Sequence, residues 1–222
     1  MNSALLWRLL LAHVVADFPL QPDALIAAKR KAGGLVLHTG IFAIAAAIAT
    51  KDYLDASPII TALAAITVIH GLTDWGKVTI VKLLKRDSLW LFLGDQAIHT
   101  GSIIIIAYIL RFRTVEPVQI YPPLTIGIIA IWTVPIIIEL MRSELSKKYL
   151  EPYSKLGKTF GKLGMLERAG LFIAGFQTGW FLLCCIITIP RIIGWFKGKK
   201  VGLVPISWAL AIALGLIGRI IV

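Results

Sequence analysis

Seven apolar stretches dominate the chain, at about residues 3–18, 35–49, 58–75, 90–110, 122–141, 163–190 and 202–222. Nothing constrains the fold more. A bilayer core offers no water to backbone N–H and C=O groups, so a spanning segment must satisfy them internally as a helix or within a closed barrel. A spanning helix needs about 20 apolar residues, whereas a barrel strand needs about 10 of alternating character. These runs are continuous, not alternating, and the mean hydropathy of the chain is +0.83. The expected fold is therefore all-α: a polytopic transmembrane helical bundle of about seven spans without β-sheet.

Pro19, Pro22, Pro58, Pro122 and Pro190 fall where such helices should start or stop. The first stretch has no small-residue cleavage site and reads as a retained helix. One polar connection is long: RSELSKKYLEPYSKLGKTFGK, residues 142–162, which suits an interfacial helix broken at Pro152. No internal repeat is visible. The whole chain, 1–222, reads as a single integral membrane domain, with residues 1–110 as its chemically distinctive core and 111–222 as supporting C-terminal helices. Cys184 and Cys185 are adjacent within an apolar run and read as packing residues.

The formal net charge is +11, yet the Lys and Arg residues gather between the apolar stretches. That distribution marks membrane topology and gives no reason to expect nucleic acid as a partner. Loops after the first, third and fifth stretches carry thirteen basic residues, among them Lys29, Lys77, Lys82 and Arg142, against seven in the opposite loops. The excess assigns those loops to the cytoplasm and the N-terminus to the outside.

Against this apolar background the four histidines stand out: His13, His38, His70 and His99. Three lie four residues from an aspartate, in HVVAD (His13, Asp17), HGLTD (His70, Asp74) and DQAIH (Asp95, His99). One helical turn is 3.6 residues, so each pair shares a face. The first pair closes its helix, His38 opens the second, the next pair closes the third, and the last opens the fourth. Successive spans alternate direction, so all seven side chains reach the same side of the bilayer. A carboxylate at a helix centre costs about 2.5–3.5 kcal/mol on insertion scales, and three such costs call for compensation. A divalent metal supplies it, because imidazole and carboxylate are standard ligands of Zn, Mn and Fe. Seven candidates accommodate one or two ions, with a bridging carboxylate.

Other accounts of these residues remain open at this point. Each pair alone reads as an ordinary polar pair at a helix end. Four histidines can hold bis-imidazole haem, although the paired aspartates contribute nothing to a porphyrin. A proton or metal-ion pathway uses intramembrane His and Asp as well, but as a ladder across the bilayer more than a cluster at one end. A structural subunit would use metal for stability alone. Neighbouring polar residues supply second-shell or substrate-contact candidates: Gln21, Gln96, Lys77, Glu167 and Arg168. Lys77 is one turn beyond Asp74, and Trp75 is either a wall of the site or an interface anchor.

The run LLLAHVVADFPLQ, followed by KRK, LVLHTG, IHGLTDW and GDQAIH, resembles a family of small prokaryotic membrane proteins catalogued as a domain of unknown function. The resemblance covers about residues 5–105. Further on, GMLERAGLFIAG and Arg191 resemble the C-terminal segment of longer members, which usually carry a lysine shortly before that arginine; here the corresponding stretch is CCIITIP. The chain is also loosely similar to membrane-bound metal-dependent hydrolases. Together these imply a protein of the prokaryotic cytoplasmic membrane. The expected function is a metal-dependent hydrolase whose site lies near the cytoplasmic membrane face. His13, Asp17, His38, His70, Asp74, Asp95 and His99 would be its ligands, and one of Asp17, Asp74 and Asp95 the general base. Its partners would be membrane lipid and a lipid-linked or lipid phosphoester substrate, with room for a homo-oligomer.

Overall fold

The computed structural model describes residues 3–55, 57–110, 119–146, 156–177, 186, 188, 189, 191–193, 196 and 203–221. Among them there is no strand. The helices are α1 (Ser3–Asp17), α2 (Asp23–Ala28), α3 (Ala32–Ala49), α4 (Ser57–Leu84), α5 (Leu89–Ile109), α6 (Tyr121–Ile128), α7 (Val134–Ser146), α8 (Leu156–Phe176) and α9 (Val204–Ile221). A π-helical segment, Ile129–Thr133, joins α6 to α7. Cys184, Cys185, Pro190 and the middle of the polar connection, residues 147–155, lie outside the described residues.

Five helical segments are long and apolar enough to cross a bilayer: Ala32–Ala49, Pro58–Leu84, Leu89–Ile109, Tyr121–Glu144 and Val204–Ile221. Their outward faces carry Val36, Leu37, Ile44, Val68, Leu72, Ile105 and Ile109, all exposed, while His38, His70, Asp74, Asp95 and His99 on the same helices are buried. A water-soluble bundle has the reverse arrangement, so this is an integral membrane protein. Helix α1 has 15 residues, about 22 Å of rise, which is short for a perpendicular span. The stretch 163–190 extends past the last described residue of α8. Helix α4 is longer than its apolar stretch suggests. Its 28 residues continue through Lys77 and Lys82 for about 42 Å, and Lys82 Nζ donates to the Arg30 carbonyl at 2.7 Å.

The described chain divides into two compact units, one drawn from Met1–Tyr121, the other from Pro122–Ser146 and Glu151–Val222. In the first, α1 packs on α3, α3 on α4, α4 on α5, and α5 back on α1, closing a ring of four helices. Each sends one stripe inward at spacings of three and four. Leu5, Leu9 and Ala12 lead along α1 to His13 and Asp17, and Ala46 and Phe42 lead back along α3 to His38. On α4, Ile59, Ala62 and Ile66 lead to His70 and Asp74. On α5, Ala107 and Ile103 lead to His99 and Asp95. One end of the bundle is thus an ordinary apolar core, and the other end of the same four stripes is polar. At the apolar end, buried Arg8 pairs with Asp52, donates to the Ala49 carbonyl and lies over the Tyr53 ring, so its charge is not left alone in hydrocarbon.

In the second unit α8 and α9 meet with almost no side chain between them. A Cβ on Gly175 would lie 2.3 Å from the Ile212 carbonyl oxygen, and one on Gly215 would lie 2.2 Å from that of Phe172. Glycine at both positions is what permits that approach. Gly161, with φ +45°, occupies a left-handed conformation that breaks α8 near its start.

Candidate metal centre

All seven His and Asp candidates converge at the polar end of the four-helix ring, and each is at most 6% exposed. The helical period explains the convergence. On α4 and α5 the aspartate lies one turn from the histidine toward the membrane surface, and on α1 the same holds at the C-terminal end. His38 faces them from the second turn of α3.

The tightest set takes one atom from each of four residues. His38 Nε2 lies 3.3 Å from Asp17 Oδ1 and 3.2 Å from Asp74 Oδ2. His70 Nε2 lies 3.4 Å and 3.5 Å from the same two oxygens, and 3.2 Å from His38 Nε2. His38, His70 and Asp74 each offer a ligand atom, all within 4.8 Å of one another, and neighbouring ligands of a dication with bonds of about 2.0 Å lie about 3.0–3.3 Å apart.

A second, looser set adjoins it. Asp17, Asp95 and His99 each offer a ligand atom, all within 4.8 Å of one another, and His13, Asp17 and His70 do the same. His99 Nε2 is 3.4 Å from Asp95 Oδ1, and His13 Nδ1 is 3.8 Å from Asp17 Oδ2. Asp17 belongs to both sets. The rings pack closely: His70 and His99 centroids are 4.1 Å apart, and Phe42 stacks on His70 at 4.2 Å with an interplanar angle of 7°. Phe42 thereby fixes the plane of one imidazole from the apolar side.

The carboxylates divide their oxygens. Asp17 Oδ2 accepts from Gln96 Nε2 at 3.3 Å, Asp74 Oδ1 from Lys29 Nζ at 2.7 Å, and Asp95 Oδ2 from Lys77 Nζ and Gln96 Nε2, both at 3.2 Å. The other oxygen of each, Asp17 Oδ1, Asp74 Oδ2 and Asp95 Oδ1, is buried with no hydrogen-bond partner, as are both ring nitrogens of His99. Those three orphan oxygens are the ones that face imidazole nitrogens. Leaving a buried acceptor unsatisfied costs about 1–3 kcal/mol, more if charged, and here the cost recurs three times in one pocket. Outer partners that orient a ligand and leave its inner atom bare are what a metal site requires.

Gln96 joins the two sets, since its Oε1 also lies 3.3 Å from His13 Nε2. Gln21 donates to the Asp17 carbonyl at 3.0 Å and accepts from Lys29 at 2.8 Å, tying the end of α1 to the turn after α2. Lys29 is the residue that sequence reasoning missed. It entered only as one of the basic residues that orient the chain, because its partner Asp74 is 45 positions away. Trp75 is 59% exposed and faces away from the pocket. Glu167 and Arg168 belong to the second unit's own buried network. Glu167 accepts from Arg191 Nε at 2.8 Å and from Trp208 Nε1 at 3.2 Å. Arg168 Nε donates at 3.0 Å to the Ile131 carbonyl, within the π-helical segment where the ordinary hydrogen-bond ladder is displaced.

The chain belongs to a family of proteins of unknown function, DUF3307, whose family model matches residues 5–124. No curated protein and no solved structure matches it. The matched region takes in the four-helix ring, all but the first two residues of α1, and every residue of the pocket.

Proposed function

We propose that the protein is a metal-dependent, membrane-embedded hydrolase acting on a lipid phosphoester. The observation that carries this reading is the divided carboxylates: three aspartates each hold one oxygen outward on Lys29, Lys77 or Gln96 and turn a bare oxygen toward imidazole. His38, His70, Asp17 and Asp74 would hold the tighter ion, and imidazole and carboxylate donors together suit zinc among Zn, Mn and Fe. His99, His13 and Asp17 would hold a second ion with a position left open for water, and Asp95 would stand beside it.

When bound, such a dication lowers the pKa of a coordinated water to about 7 and polarises a phosphoryl oxygen. The chain's own residues supply the rest. Asp95 lies outside the tighter set and is the carboxylate left to act as general base. It takes a proton from the attacking water as the new O–P bond forms, and returns it to the alkoxide released when the ester P–O bond breaks. The lipid assignment rests on reading the pocket, near the end of α1 and the start of α3, as lying at headgroup depth, with α4 continuing beyond it. In the full reading about seven spans cross the cytoplasmic membrane of a prokaryote, with the N-terminus outside and the pocket at the cytoplasmic face.

Metal analysis of the detergent-purified protein, beside His70→Ala and Asp95→Ala, tests the centre. Hydrolysis of a lipid phosphoester with and without chelator tests the activity. Stoichiometric metal with chelator-sensitive turnover supports the reading. Metal without turnover reduces the protein to a metal-stabilised subunit, and a folded protein that takes up no metal ends the proposal. A metal-ion or proton transporter is the second reading, favoured by one observation: the buried Glu167–Arg191 pair gives the second unit charged groups of its own. Metal flux into proteoliposomes without hydrolysis would select it.

A further inference from the structure

Charge in the pocket does not balance once a metal is bound. Three buried aspartates face two ammonium groups, Lys29 on Asp74 and Lys77 on Asp95, which leaves one net negative charge while the imidazoles are neutral. One dication inverts this to one net positive charge, and two dications raise it to three. A surplus of that size in a low-dielectric pocket is costly unless an anion accompanies it.

Lys29 and Lys77 are placed to receive that anion. Their side chains are 11% and 19% exposed, against 3% and 4% for the carboxylates they hold, so both stand between the aspartates and the exterior. Lys29 holds Asp74 on α4, and Lys77, one turn beyond Asp74, reaches across to Asp95 on α5, so each ammonium group caps one carboxylate of the pocket. Lys29 is steadied by Gln21, and the Lys77 ammonium lies 5.1 Å from the centre of the Phe92 ring. An ammonium group has three donors, and Lys29 gives two of them to Asp74 and Gln21, which leaves one for an anion.

We propose that Lys29 and Lys77 form an anion clamp that binds the phosphate of the substrate beside the metal centre, making the site specific for phosphoesters over carboxylic esters. This rests on the metal-centre reading. The ligand chemistry is a phosphate monoanion or dianion, free in solution or carried by a lipid headgroup.

The test is calorimetric titration of the zinc-loaded full chain in detergent, with three probes: inorganic phosphate, dihexanoyl phosphatidic acid and, as the uncharged control, dihexanoylglycerol. Metal content is measured on every sample. The wild type should bind both phosphate probes and not the glyceride. Lys29→Gln and Lys77→Gln should each weaken phosphate binding about 10- to 100-fold, at free zinc held high enough that every sample carries the wild-type metal content. Lys29→Arg and Lys77→Arg, which keep the charge and tolerate the same neighbours, should retain most of it. Tighter binding of phosphatidic acid identifies a lipid headgroup as the source, and equal affinity identifies free phosphate. A zinc-loaded wild type that binds neither probe, or glutamine variants that bind them as tightly as wild type, would overturn the clamp and leave the metal centre standing. A wild type that takes up no zinc would overturn both.

Discussion

His38→Gln separates a metal centre from a set of polar pairs. His38 is fully buried, and its Nε2 is within 3.2–3.3 Å of three other candidate ligand atoms. It does not take part in the Phe42 stack, so replacement by a side chain of similar volume leaves the aromatic wall intact. Four-ligand zinc sites have apparent binding free energies of about 10–16 kcal/mol, or about 2.5–4 kcal/mol per ligand, so losing one should weaken zinc binding about 10²–10³-fold. The assay is thermal unfolding in detergent, at free zinc buffered to about 100 times the wild-type Kd. There zinc adds about 2.7 kcal/mol to wild-type stability. For a chain of this size that is about 5–11 °C in Tm. At the same free zinc the variant should gain about 1 °C or less. A wild-type Tm indifferent to zinc, or a variant shifted as far as wild type, would refute the reasoning.

Three further outcomes follow from the packing and the outer hydrogen bonds. Gln96→Leu removes the amide that spans Asp17, Asp95 and His13 but no ligand, and should lower metal affinity about 10- to 100-fold in equilibrium dialysis. Phe42→Ala deletes a ring only 1% exposed and should cost about 3–5 kcal/mol of stability in chemical unfolding, with metal affinity reduced as His70 loses its stacking partner. Gly215→Ala places a methyl 2.2 Å from the Phe172 carbonyl oxygen and should force α8 and α9 apart, lowering Tm while sparing zinc binding to the first unit.

The pocket was legible in the sequence because two periodicities coincide. Spacing of four within HVVAD, HGLTD and DQAIH puts each pair on one helical face, and alternation of helix direction puts all of them at one end. Both follow from backbone geometry and need no tertiary knowledge. What was not legible came from loops and from helix length. Lys29 reaches Asp74 from the turn after α2, a short helix begun by Pro22, and no local pattern links positions so far apart. The apolar stretch 58–75 placed the end of the third span near Trp75, short of the observed end of α4. The helix continues because Lys77 has Asp95 and Lys82 has the Arg30 carbonyl as partners. Helix α7 runs on to Ser146 for a similar reason, with Arg142 paired to Glu139 one turn back. Glu167 and Arg168 looked like candidates for the pocket's surroundings, yet Glu167 bonds to Arg191 and Trp208 and Arg168 to the Ile131 carbonyl, all within the second unit.

The most direct test is X-ray absorption at the zinc edge of the purified, zinc-loaded protein. Two imidazoles and two carboxylates predict a four-coordinate shell of nitrogen and oxygen at about 2.0–2.1 Å, with outer-shell scattering from the histidine rings. A shell dominated by sulfur at about 2.3 Å, or no zinc retained above background, would contradict it.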